Sequence, residues 1–161
     1  MWDRITKTSP FGAVLTAALD EAGRSGARRL GTDHLLLALL HDEASVPARA
    51  LGITLEQARA GLDDLDRTAL ATLGLELRGL EPPTPQPYKP LPLSRNNATS
   101  NARAVLRDAV DATGLRTRSL APSHLLRSLL VLTAPDPAAE LLVHLGIDPE
   151  LTRERLAALQ V

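Results

Sequence analysis

Thr99 and Arg103 are the pair in this sequence best placed to do binding chemistry. A hydroxyl at the entrance to a helix and a guanidinium one turn later on the same face can together receive a phosphate or a carboxylate. Thr8 stands at the matching entrance of the first helix, where the alignment is looser. Plain N-capping would account for either threonine. The histidines invite a catalytic reading and give little support for one. His34 and His124 recur at equivalent places, which points to a shared packing and hydrogen-bonding role, whereas His41 and His144 do not recur together. There is no His-Glu-x-x-His pattern and no metal set with credible spacing. Ser25, in Gly23-Arg24-Ser25-Gly26, lacks the strand-turn-helix setting of a hydrolase nucleophile. The chain has no cysteine, which removes disulfides, thiolate metal sites and cysteine nucleophiles together. No Gly-x-x-x-x-Gly-Lys-Ser/Thr loop is present to cradle nucleotide phosphates. The expectation is a non-enzyme without cofactor or metal. Arg28 with Arg29, and Arg116 with Arg118, place basic turns before two comparable helices. They read first as solvated loops and second as attractors of anions or acidic partners.

The elements that hold these residues come in two copies. Ala13-Val14-Leu15, His34-Leu35-Leu36 and Leu51-Gly52-Ile53 return in the same order as Ala104-Val105-Leu106, His124-Leu125-Leu126 and Leu145-Gly146-Ile147. The partners stand 91, 90 and 94 residues apart. Internal repetition of this kind implies two related half-domains. Two similar surfaces suit recognition better than a single asymmetric catalytic cleft.

Each copy reads as four helices. Ser9-Pro10 supplies an N-cap and a first-turn proline for a helix to about Gly23, with Val14, Leu15, Ala18, Leu19 and Ala22 on one stripe. A second helix begins near Thr32 and carries Leu35, Leu36, Leu39 and Leu40 inward until about His41. Ser45 caps a short third helix that stops at Gly52. Thr54 and Gln57 have the spacing of a capping box, opening a fourth helix that runs through Leu62 and Leu65 into the seventies. In copy two Val105, Leu106, Ala109 and Val110 form the first stripe, and Pro122, Asp136-Pro137 and Asp148-Pro149 open the later helices. Leu37 is matched by Arg127, which implies an outward-facing position in at least the second copy. Residues 74–97 hold six of the twelve prolines, a density that favours an extended linker laid across the surface by Tyr88 and Leu91. The expected organisation is therefore repeat one at 1–73, linker at 74–97 and repeat two at 98–161.

Composition agrees with an all-α chain. Hydrophobic residues make up 44% of the 161, yet there is one Phe, one Trp and one Tyr, so the core must be built from Leu, Ala, Val and Ile. A formal net charge of −1 lacks the basic excess of a domain that neutralises many phosphates. The N-terminus has no apolar signal core, and no apolar run approaches bilayer-spanning length, so a cytoplasmic protein without nucleic acid or membrane as partner is expected.

The phrases Gly31-Thr32-Asp33-His34-Leu35-Leu36 and Pro122-Ser123-His124-Leu125-Leu126, each followed by a Leu-Gly-Ile turn, resemble the Clp repeat. Used twice, that repeat forms the N-terminal domain of Clp-type AAA+ unfoldases such as ClpC and ClpA, where the usual phrase is Gly-Thr-Glu-His-Leu-Leu. The opening Met1-Trp2-Asp3-Arg4-Ile5-Thr6 and the stretch Thr99-Ser100-Asn101-Ala102-Arg103-Ala104-Val105-Leu106 are similar to the family's starts of repeats one and two. The resemblance implies two four-helix repeats related by pseudo-twofold symmetry. It implies binding of a Clp AAA+ unfoldase, an adaptor or a substrate protein, and, as in some members, of phosphoarginine tags or cyclic-peptide antibiotics. Without ATPase modules the chain looks like a stand-alone adaptor, regulator or ligand-sequestering decoy.

The resemblance also suggests a ligand set of Trp2, Thr8, Asp33, Thr99 and Arg103. Trp2 takes the place of an aromatic bordering the family's ligand groove. Asp33 takes the place of a Glu that pairs with a guanidinium, although a carboxylate there is also ordinary helix N-terminal chemistry. The equivalent of Asp33 in copy two is the uncharged Ser123. Where the family has Phe and Glu in the same groove, this chain has Ala98 and Arg107, which lose an aromatic and reverse a charge. The runner-up reading is a helix-turn-helix DNA-binding regulator, which the near-neutral charge disfavours.

Overall fold

The computed structural model describes residues 9–75, 87–113 and 121–160. Among them the chain forms eight α-helices and no strand beyond one isolated bridge. The first four are α1 (Pro10–Arg24), α2 (Thr32–Ala38), α3 (Val46–Leu51) and α4 (Leu55–Thr72). A 3-10 turn (Arg95–Asn97) leads into α5 (Ser100–Asp111), α6 (Pro122–Leu129), α7 (Pro137–His144) and α8 (Pro149–Leu159).

Capping chemistry explains these boundaries. The side chains of Ser9, Ser45, Thr54, Thr99, Asp136 and Asp148 each accept a backbone N–H from the first turn of the helix that they precede. Thr54 and Gln57 complete the reciprocal box at 3.1 and 2.9 Å. Gly52 and Gly146 close α3 and α7 with φ of 69° and 68°, a conformation that a side chain would strain. One boundary departs from expectation: α2 ends at Ala38 rather than near His41. The amides of Leu40 and His41 bond three residues back, to Leu37 and Ala38, so the last turn tightens while Leu39 and Leu40 stay buried.

The two sets of four helices interlock. α3 packs on α8 and α4 on α7, while α2 packs on α7 and α3 on α6. Exchanging the halves converts each of these pairs into its neighbour, a pattern consistent with the expected pseudo-twofold relation. Leu35, Leu36 and Leu39 of the first half share one core with Leu125, Leu126, Leu141 and Leu142 of the second. Burying a leucine side chain contributes about 2 kcal/mol, so the shared core is the main source of cohesion.

The halves differ where α4, with 18 residues, outruns α8, with 11. Leu37 of α2, which contacts α4, is 2% exposed. Its counterpart Arg127 is exposed and donates to Gln160 Oε1. Outward orientation therefore holds for Arg127 alone.

A buried polar knot fastens the halves together. Asp136, 4% exposed, accepts from the hydroxyl of Thr32 at 2.8 Å, from Asn101 Nδ2 at 2.8 Å and from the Ala138 amide at 2.9 Å. One carboxylate thus joins the start of α2, the first turn of α5 and the N-terminus of α7. A second buried acid, Glu21 of α1, accepts from His41 Nε2 at 2.7 Å and from Arg59 of α4. Burial alone would raise the Glu21 pKa, but hydrogen bonds from Arg59 and His41, with their charges, overcome it and hold the carboxyl below its ordinary value.

Two outcomes follow from these acids. Asp136→Ala removes a cap and two hydrogen bonds to a buried charge, and should lower stability by about 2–4 kcal/mol in urea denaturation, against about 1 kcal/mol for Thr32→Val. A lowered pKa in the folded state means that the Glu21 contribution is present at neutral pH and disappears as the pH falls from about 5 through the folded value. Thermal melts should show this acid loss reduced in Glu21→Gln, which starts from lower neutral-pH stability.

Candidate functional site

A groove of about 530 Å³ lies between α1, α5 and the segment that enters α5. Leu15, Leu19 and Leu30 form its floor, while Leu93, Ser94, Asn97 and Ala98 supply one wall. The other wall is a single face of α5, where Arg103, Leu106, Arg107 and Val110 follow the i, i+3, i+4, i+7 spacing. The opposite stripe of α5, Ala102, Val105 and Ala109, is buried in the core. Leu106 and Val110 were expected inward with Val105 and Ala109. Leu106 is half-buried and Val110 is 43% exposed, because α5 turns them toward the groove.

The proline-rich segment builds part of this wall. The Leu91 amide donates to Leu19 O at 3.0 Å, the Tyr88 hydroxyl to Asp20 at 3.2 Å, and the Arg24 guanidinium lies 5.5 Å from the Tyr88 ring centre. Gly23 makes this close approach possible, since a Cβ there would stand 2.2 Å from Lys89 O. Further along, Leu30 N donates to Asn97 O and Thr99 N donates to Leu30 O, joining the loop before α2 to the entry of α5.

Of the five residues expected at a site, Trp2 and Thr8 lie outside the described residues. The cap of α1 that corresponds to Thr99 is Ser9, whose Oγ accepts from Gly12 N at 3.0 Å. Thr99 caps α5, accepting from Ala102 N at 3.2 Å, and adjoins the groove through Ala98. Its cap is satisfied within the protein, so anion-binding capacity at this end of α5 rests on Arg103, which lines the groove. Asp33 is not brought there. It sits in the first turn of α2, near Asp66 of α4. The Asp66 carboxyl is pushed up, first by desolvation and then by Asp63 and Asp33, which marks an acidic edge suited to a cation. In the second half the place of Asp33 is closed, because Ser123 Oγ accepts from Gln160 Nε2 at 2.8 Å.

Among the groove residues that sequence reasoning missed are Leu15, Leu19, Leu30 and Leu93. Their signal is weak, since leucines on a core stripe and in a linker look alike whether or not they border a cavity.

The repeated histidines do the same job in both halves. His34 Nδ1 accepts from Gly31 N at 2.9 Å and His124 Nδ1 from Ala121 N at 3.2 Å, each closing the helix start from its third position. This fixes the tautomer of His34, leaving Nε2 as the donor to Ser25 Oγ at 3.0 Å. Ser25 Oγ in turn donates to Ala22 O at 3.0 Å. The imidazole therefore cannot take the serine proton, and the pair is structural. Among the described residues no cluster of three His, Cys, Asp or Glu could hold a metal ion. No helix among them is long and apolar enough to cross a membrane.

By sequence, no family model and no curated protein matches the chain. By structure, the chain is similar to the N-terminal domain of the caseinolytic protease associated chaperone ClpD from Arabidopsis thaliana. The likeness covers 100% of this chain and 97% of that one, with a TM-score of 0.64 at 20% identity. The fold is thus the all-α fold of a Clp N-terminal domain.

Gly23→Val should dislodge the connector from α1. The measurement is amide hydrogen exchange, in which Leu91 N–H should lose its protection while amides within α2 and α6 keep theirs.

Proposed function

With the fold of a Clp N-terminal domain as premise, we propose that this chain is a non-catalytic protein- or peptide-binding module. It acts on the Clp protease system as an adaptor, a regulator or a decoy that sequesters ligands. The observation that carries this reading is the groove on α1 and α5, apolar at its floor and lined with exposed Leu93 and Val110, in a fold shared end to end with a chaperone N-terminal domain. Cavities of this size, mostly apolar with a few convergent polar groups, are the usual form of a binding site.

Within this reading Thr99 and Arg103 serve the groove, and Trp2 and Thr8 belong to the same ligand set. Asp33 offers a carboxylate to a guanidinium such as that of phosphoarginine, at the acidic edge of α2 and α4. The partners are a Clp AAA+ unfoldase, its adaptors or its substrates, with cyclic-peptide antibiotics as candidate ligands.

Pull-down with the immobilised chain tests the proposal. A Clp unfoldase component, adaptor or degradation substrate should be retained, and Val110→Glu, at an exposed position, should reduce retention by about tenfold or more. Calorimetric titration with phosphoarginine should register binding that Asp33→Ala removes. Retention of none of these proteins would overturn the proposal.

A further inference from the structure

Among the described residues, the proposed binding groove carries charge of one sign. Arg103 and Arg107 line it, and no acidic residue among the described ones does, although the whole chain has a formal net charge of −1. The described arginines that form ion pairs with carboxylates are Arg59, Arg67 and Arg153. The described polar contact of the Arg103 guanidinium is a 3.5 Å approach to Ser100 Oγ, at the limit of a hydrogen bond. Two guanidinium groups over an apolar concavity concentrate positive potential where water is partly excluded.

Spacing narrows the ligand. Side chains four apart on a helix have Cβ atoms about 5–6 Å from one another. In an extended chain the side chains at i and i+2 point the same way, about 6.5–7 Å apart. An acidic residue at each of those two places meets both arginines, and the aliphatic residues between and beside them meet Leu19, Leu93, Leu106 and Val110. Among the described residues the lining between the two arginines is aliphatic, which suits the side chains of a peptide.

Building on the function proposed above, we infer that the groove on α1 and α5 selects an extended segment of a partner protein with two carboxylates two residues apart among aliphatic side chains. Arg103 and Arg107 each take one carboxylate, through the planar fork that suits a guanidinium to this partner.

Fluorescence anisotropy with three labelled peptides tests this on the intact chain: one containing Leu-Asp-Leu-Asp-Leu, one with Ser in place of Asp, and one with Lys. The Asp peptide should bind about tenfold tighter than the Ser peptide, a difference of about 1.4 kcal/mol, and the advantage should shrink as salt is raised. The double variant Arg103→Glu with Arg107→Glu should invert the order and prefer the Lys peptide. Both arginines are exposed, and a circular-dichroism melt confirms that the variant folds. Equal binding of the Asp and Ser peptides, or an unchanged order in the double variant, would overturn the inference while the groove itself stays a binding site. Binding of none of the three, in protein that still retains Clp partners in the pull-down, would overturn the assignment of this groove and the inference with it.

Discussion

The carboxylate of Asp136 is the constraint on which the arrangement depends. It is nearly inaccessible to water, so its charge must be met within the protein, and the groups that meet it come from three helices in two halves. Leucines alone would allow the halves to slide, because apolar contact is non-directional. Hydrogen bonds from Thr32 and Asn101 are directional, and they set α2, α5 and α7 at one register. The groove inherits that register, since α5 is the helix that turns Arg103, Leu106, Arg107 and Val110 outward.

The groove also depends on the connector. Its described residues 87–94, which include Pro87, Pro90 and Pro92, form no helix, as that density of proline dictates. The contacts of Tyr88, Lys89 and Leu91 with α1 then bring Leu93 and Ser94 to the edge of the cavity. A segment that reads as a spacer between repeats is thus also a structural wall. The helices supply the frame, and the connector gives the groove a wall of its own.

The halves also differ in charge. On the first half, Asp33, Asp63 and Asp66 crowd carboxylates together on α2 and α4. On α5 of the second half, the groove face is cationic. Ser123, the counterpart of Asp33, is engaged by Gln160. The two halves therefore offer different chemistry within one fold.

Much of the fold was legible in the sequence, because its signals are local. Ser9, Ser45, Thr54, Asp136 and Asp148 mark helix starts through hydrogen bonds spanning two or three residues, and Gly52 and Gly146 mark stops through their own backbone freedom. The His34 and His124 match suggested an internal repeat, and the resemblance it carried named the fold. What required tertiary structure was whatever depends on long-range neighbours. The inward or outward fate of Leu37, Leu106 and Val110 is set by which helix arrives beside them, and all three look alike in a periodic pattern. Asp136 reads as a cap in the sequence, and only the approach of Thr32 and Asn101 across the interface makes it a knot. Arg103 was singled out from one helical turn, but its pairing with Arg107 over an apolar floor exists only because α1 and the connector come together there.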